Sequence, residues 1–213
     1  MIGNDVIDLD DDDSRIACRH PRIDERVLAP SERALLAEGW GADRMRCMLW
    51  AAKESAYKLL RRRNPQIVFS PARFVVRVVA AQCATVAAAG FRIAIRFESG
   101  DGFVHAIARD EDSPEAFAAV SRTDAQGTGS DSEAVRRFAV TSLAERSGVD
   151  ADALEIRREG RLPMLLHAGR PVAGALSLSH HGRFVAFAWQ PGGAEGGAGV
   201  GTAQSQTRPI AAA

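Results

Sequence analysis

Short apolar runs broken by turn residues dominate this chain, and a few longer stretches carry helical spacing. Ile2 to Leu9 reads as a strand with carboxylates inside it. Ala29-Pro30-Ser31 opens a helix, with Ser31 as N-cap, helical spacing over Arg33 to Glu38 and Gly39 beyond. Ala42 to Arg63, rich in Ala, Leu, Met and Arg and closed by Asn64-Pro65, predicts a longer helix. Three strand-like runs follow at Arg73 to Val79, Phe91 to Phe97 and Phe103 to Ala108, the last two joined by the hairpin signal Ser99-Gly100-Asp101-Gly102. After a stretch rich in Asp, Ser, Thr and Gly, a helix resumes over Glu133 to Arg146 and ends at Ser147-Gly148. Strand-like pieces then recur at Leu154 to Arg158, Met164 to His167, Ala175 to Ser179 and Phe184 to Trp189.

Helix combined with short strands on both sides of a polar join predicts an α+β fold and not a doubly wound sheet. The divisions expected are a first half over 1–109, a flexible linker over 110–132, a second half over 133–190 and a disordered tail over 191–213, whose Gly, Ala, Gln and Thr offer little to bury.

Acidic and basic groups balance at 27 each, so no global field would hold nucleic acid or an anionic membrane. The balance hides local contrast: Asp10 to Asp13 form an acidic run, and Arg15, Arg19, Arg22 and Arg26 follow it as a basic stretch that an acidic partner could meet. Cys18, Cys47 and Cys83 are odd in number and lack metal-ligand spacing, so they read as reduced thiols. Asp5 and Asp8 interrupt any apolar leader, and no run approaches transmembrane length. A cytoplasmic protein is expected.

The chain's 27 basic residues include only two lysines, Lys53 and Lys58, both in Leu49-Trp50-Ala51-Ala52-Lys53-Glu54-Ser55-Ala56-Tyr57-Lys58. A compact ammonium and a planar guanidinium are not interchangeable at a tight phosphate site, so lysines confined to one segment suggest such a site. Glu54 and Lys58, four apart, share a helix face; alone they would read as a surface ion pair, but Trp50 on that face and nearby Tyr57 give them an apolar surround. Asp5 lies in Gly3-Asn4-Asp5-Val6-Ile7-Asp8-Leu9, where alternation puts it on the side of Ile7 and opposite Val6. One carboxylate from a strand and one from a helix, completed by water and phosphate, suffice for magnesium. Ser177-Leu178-Ser179-His180-His181-Gly182-Arg183 ends a strand with a hydroxyl and an imidazole that can meet a phosphate, or closes a hairpin as a polar turn. The G-x-S-x-G elbow, the Walker loop and the dinucleotide fingerprint are missing.

Together these segments resemble the 4′-phosphopantetheinyl transferase superfamily. Its G-[IN]-D-[IV] strand, W-x-x-K-E-[SA]-x-x-K helix and [ST]-[IL]-[ST]-H-[ST]-x-G turn appear here as Gly3-Asn4-Asp5-Val6, Trp50 through Lys58, and Ser177 through Gly182. His181 departs from the family's usual small hydroxyl residue. The resemblance implies transfer of phosphopantetheine from coenzyme A to a serine of an apo carrier protein, with release of 3′,5′-ADP. It implies Mg²⁺ held by Asp5 and Glu54, phosphates met by Lys58 and His180 and oriented with Ser179, Lys53 beside the coenzyme, and Glu54 taking the serine proton directly or through water. Ile7 stands where many two-half members carry a third carboxylate, so water is expected there; Asp8 points the other way. Arg15, Arg19, Arg22 and Arg26 fall where members dock the carrier's acidic helix.

Surfactin-type, two-half members place the serine-histidine half first, whereas here the aspartate-glutamate half leads. A circular permutation of the two-half enzyme, its similar halves packed as a pseudo-dimer, accounts for this and predicts a monomer with one site between the halves. The alternative is the short trimeric type enlarged by an insertion. In another class stands a carrier-binding module of the same fold without catalysis.

Overall fold

The computed structural model describes residues 1–15, 22–36, 41–110, 113, 116–123 and 130–192. The tail expected to be disordered lies outside these, apart from Pro191 and Gly192. Strand β1 (Ile2–Asp8) is buried at every residue. Two short helices, α1 (Ile23–Val27) and α2 (Pro30–Leu35), lead to the long helix α3 (Ala42–Arg63). On α3 the buried residues Met45, Leu49, Ala52, Ala56 and Leu59 recur at alternating four- and three-residue spacing, the stripe a helix needs to lie on a sheet. That sheet has the order β1-β5-β4-β3-β2, all antiparallel, with β2 at Val75–Ala80, β3 at Cys83–Ala88, β4 at Phe91–Gly100 and β5 at Phe103–Asp110.

The second half opens with β6 (Phe117–Arg122), inside the span expected to be a flexible linker; its alanines and short length hid it among Asp, Ser and Gly. Helix α4 (Asp131–Ser147) also begins within that span. Ser130 caps it, its Oγ accepting from the Glu133 N–H at 3.3 Å while the Glu133 carboxylate accepts from the Ser130 N–H at 2.9 Å. Strands β7 (Leu154–Glu159), β8 (Leu162–His167) and β9 (Arg170–Pro171) form one small sheet. Strands β10 (Gly174–His181) and β11 (Phe184–Pro191) join β6 in another, ordered β10-β11-β6.

The order strand, helix, hairpin, hairpin thus occurs twice: β1-α3-β2-β3-β4-β5 and then β6-α4-β7-β8-β10-β11. In each half the opening strand pairs antiparallel with the closing one, β1 with β5 and β6 with β11. Helix α4 buries Ala139 and Leu143 against Leu176 and Phe187, while Ile2 on Ala188 and Val6 on Ala186 and Phe184 seal one half to the other.

The halves also meet edge to edge. Strand β1 turns its free N–H groups toward β10, and these find side chains: Asn4 N–H donates to Ser177 Oγ at 2.9 Å, Val6 N–H to Ser179 Oγ at 3.1 Å and Asp8 N–H to His181 Nδ1 at 3.2 Å. Each acceptor lies 173 residues after its donor, so β1 and β10 run parallel, joined by hydroxyls and an imidazole in place of carbonyls. A buried N–H without an acceptor would be costly, which explains the polar residues at three alternate positions of β10, Ser177, Ser179 and His181. It also explains His181, whose ring nitrogen accepts as a hydroxyl would.

Candidate active site

Two carboxylates, one ammonium and one hydroxyl come together where β1, α3 and β10 converge. Gly3 permits the approach: a Cβ there would lie 2.1 Å from the Ser55 carbonyl oxygen and 2.8 Å from the Leu59 nitrogen. Strand β1 therefore lies almost on the helix backbone, with Asp5 and Ile7 turned to the same cleft as Glu54 and Lys58. That cleft, of about 400 Å³, has an apolar wall of Ile23, Val27, Leu28, Trp50 and Leu178.

Lys58 Nζ donates to Asp5 Oδ1 at 2.7 Å, to the Asn4 carbonyl at 3.0 Å and toward Ser179 Oγ at 3.4 Å. Ser179 Oγ in turn donates to Asp5 Oδ1 at 2.9 Å while accepting from Val6 N–H. Its hydroxyl is thereby engaged in orienting Asp5 and the strand. Burial pushes the Glu54 carboxyl above the usual range, the charge of Asp5 pushes it further, and Lys58 partly offsets both. His180 is about half exposed, with Nδ1 3.6 Å from Asp131 Oδ2 at the start of α4.

A second cleft of about 230 Å³ adjoins the first and shares Lys58, Leu178 and His180 with it. Arg61 and Arg62 from the end of α3, Ser132 and Arg136 from the first turns of α4, and Arg158 and Arg161 from the β7–β8 hairpin line it. These cations come from three elements far apart in the chain, and sequence reading did not assemble them. The available signals were the run Arg61-Arg62-Arg63 directly after the lysine motif and the arginines around Glu159-Gly160. Such a concentration of guanidinium groups attracts a polyanion.

Lys53 is not part of either cleft. It is wholly buried on another face of α3, its three donors spent on Glu32 Oε2 at 2.7 Å, the Pro71 carbonyl at 2.9 Å and the Phe74 carbonyl at 2.6 Å. The expected contact between Lys53 and coenzyme A has no place in this geometry. Glu32 also accepts from the Ala29 N–H at 2.6 Å and the Val76 N–H at 2.6 Å, so this buried carboxylate, not Ser31, serves the start of α2.

Asp8 points away from the cleft. The Arg183 guanidinium grips it through Nε at 2.7 Å and Nη2 at 2.6 Å, and holds its carboxyl well below the usual carboxylate range. Of the four arginines expected to dock a carrier, Arg22, just before α1, and Arg26, within it, are exposed; Ile23, Asp24 and Val27 of the same helix line the cleft. Arg19 and the side chain of Arg15 lie outside the described residues.

Among the described residues no three His, Cys, Asp or Glu side chains converge as a metal cage. Asp5 and Glu54 still suit Mg²⁺: both present hard oxygen donors in one cleft, and their mutual repulsion favours a cation between them. Two carboxylates with the remaining positions left to water and phosphate is a usual magnesium arrangement.

A family model described as the 4′-phosphopantetheinyl transferase superfamily matches residues 1–108. The match runs from β1 into β5 and so contains Asp5, Glu54 and Lys58. Among solved structures, Thermotoga maritima holo-[acyl-carrier-protein] synthase matches at 14% identity over 80% of this chain and 83% of that chain, with a TM-score of 0.31. No curated protein matches.

Proposed function

This chain belongs to the 4′-phosphopantetheinyl transferase superfamily, and from that premise we propose that it transfers 4′-phosphopantetheine from coenzyme A to a serine of an apo acyl or peptidyl carrier protein, with Mg²⁺, releasing 3′,5′-ADP. One observation carries the reading: the carboxylate cleft and the arginine cleft share Lys58, Leu178 and His180 as lining residues. Coenzyme A has the matching sequence of parts, an apolar-compatible arm, a pyrophosphate and a phosphorylated nucleoside. The arm fits against Trp50, Ile23 and Val27, the pyrophosphate beside Lys58 and His180, and the 3′-phosphate among Arg136, Arg158 and Arg161.

In the reaction the carrier serine Oγ attacks the phosphorus bearing the pantetheine arm. A P–O bond forms to the serine, and the bond to the bridging oxygen breaks, leaving with 3′,5′-ADP. Glu54 takes the serine proton; a carboxyl lifted by burial is a better base than an exposed one. Lys58 leaves Asp5 for the phosphate oxygens and offsets their developing charge. Ser179 keeps Asp5 aimed into the cleft through its 2.9 Å bond. Mg²⁺, held by Asp5 and Glu54, would neutralise pyrophosphate oxygens. The apolar wall limits competition from water for the phosphoryl group.

Both halves of the site come from one chain: Asp5, Glu54 and Lys58 from the first half, Ser179 and His180 from the second. The repeated element order and this single site support a permuted pseudo-dimer acting as a monomer. The exposure of Arg22, just before α1, and of Arg26, in its last turn, next to cleft-lining Ile23 and Val27, supports docking of an acidic carrier helix there.

The test is incubation with coenzyme A, Mg²⁺ and a panel of apo carrier proteins, read by intact mass and paired with light scattering. Gain of one phosphopantetheine, abolished by chelation and by Glu54→Gln, is the expected result, from a monomer. Carrier binding without mass gain would replace the proposal with the non-catalytic module, and an obligate trimer would overturn the permutation.

A further inference from the structure

The side-chain ladder between β1 and β10 has a weakness that points to a residue outside both clefts. Ser177, Ser179 and His181 are equivalent acceptors at two-residue spacing, facing equivalent donors at Asn4, Val6 and Asp8. A slip of two residues would preserve most of these bonds. The apolar seal resists such a slip only in part: Ile2 rests on Ala188 and Val6 on Ala186, like residues two apart, while Phe184, against Val6 and Phe103, is the bulky exception. Yet a slip would carry Ser179 about 6.6 Å along β1, two residues at ~3.3 Å each, and part it from Asp5.

Among the polar contacts along this edge, one does not repeat. Directly after β10, Arg183 donates to buried Asp8 from its backbone N–H at 2.9 Å, from Nε at 2.7 Å and from Nη2 at 2.6 Å. Gly182 makes room: a Cβ there would lie 2.6 Å from Asp8 Oδ2. The next carboxylate along the chain, Asp10, receives only Nη2 at 2.5 Å and is exposed. A planar fork closed on a buried carboxylate is geometrically demanding, and no second position of β1 offers it. The geometry points to Arg183, acting through Asp8, as the positioning residue that sets the register of β1 against β10 and so holds Ser179 and His180 at the reaction cleft. Its consequence for turnover rests on the transferase reading above; its consequence for register does not.

The test uses the full chain carrying Asp8→Ala, with Arg183→Gln as a second variant should the first fail to fold. Nuclear Overhauser contacts from the Val6 amide report register, and initial rates separate kcat from KM. In the native protein that amide contacts Ser179. In Asp8→Ala the arginine retains only Asp10, so β10 is drawn toward it and the Val6 contact passes to Ser177. The turnover number falls roughly 10²-fold in Asp8→Ala and in Arg183→Gln, as misplaced reacting groups demand, and Arg183→Lys, with Asp8 intact, retains part of what Arg183→Gln loses. A Val6–Ser179 contact that persists in the variants, or a shifted contact with unchanged kcat, would overturn the proposal. Were the native protein to transfer nothing to any carrier, the transferase reading alone would fall, and the Val6 contacts would still decide the register.

Discussion

Lys58 Nζ stands 2.7 Å from Asp5 Oδ1, so the residue proposed to meet phosphate also serves as counterion to the residue proposed to hold a metal. Both sit in a partly desolvated cleft, where an unpaired carboxylate would be costly. On the proposed function, the ammonium and a divalent cation would compete for Asp5 until a polyanion in the adjoining arginine cleft drew Lys58 away.

A binding measurement exposes that competition. Lys58→Gln should bind Mg²⁺ more tightly than the native protein in the absence of coenzyme, by roughly tenfold, the equivalent of an ion pair worth ~1.4 kcal/mol. The same variant should bind 3′,5′-ADP more weakly. Titration calorimetry of each ligand alone and together checks both signs. Unchanged Mg²⁺ affinity would mean that Lys58 does not guard Asp5.

Glu54 separates activity from stability. Its carboxyl is raised by burial first and by Asp5 second, so the folded state favours the protonated form. A raised carboxyl contributes stability that is fully present below the ordinary value of about 4.3 and is lost as pH rises through the folded value. At neutral pH the ionised group therefore destabilises the fold, and Glu54→Gln removes that penalty. The variant should melt higher than the native protein at pH 7, with the difference closing below about pH 4. Turnover should meanwhile fall by roughly 10²- to 10⁴-fold, the usual worth of a general base. Thermal melts across pH, beside the mass assay, check both halves.

What could be read in the chain was whatever local spacing encodes. Strand alternation put Asp5 with Ile7 and apart from Val6 and Asp8, and helical spacing put Glu54 with Lys58; both hold in the structure. The place beside the coenzyme that the resemblance implied for Lys53 failed because nearness in sequence is not nearness in direction. Five residues at ~100° each turn it about 140° away from Lys58, toward the interior. Strands β3 and β6 escaped notice because alanine, a weak strand former, fills much of Cys83–Ala88 and Phe117–Arg122; cross-strand partners decide them. The arginine cleft draws on α3, α4 and the β7–β8 hairpin, and only the folded chain brings them together.

The buried Lys53–Glu32 pair gives the third prediction. All three ammonium donors are satisfied at 2.6–2.9 Å, and Glu32 ties together α2, α3 and the start of β2. Lys53→Met would fit the volume and leave a buried carboxylate without its cation. Loss of about 3–5 kcal/mol is expected, the cost of breaking rather than replacing a buried pair. Urea denaturation measures it. A loss near zero would show Glu32 neutralised by its backbone donors alone.

Gly3 gives the last. It lies within β1, where its role is to admit the helix: the nearest atoms to an added Cβ, at 2.1 and 2.8 Å, are backbone atoms of Ser55 and Leu59. Backbone cannot swing aside as a side-chain tip can, so Gly3→Ala must push β1 off α3. Overpacking of this kind costs typically 1–3 kcal/mol. Here the displacement also separates Asp5 on the strand from Glu54 and Lys58 on the helix. The variant should therefore lose turnover out of proportion to its stability, by roughly 10²-fold for a shift near 1 Å. Assay well below its melting temperature distinguishes the two effects. Native turnover in a merely less stable protein would show that the strand and helix keep their spacing by yielding elsewhere.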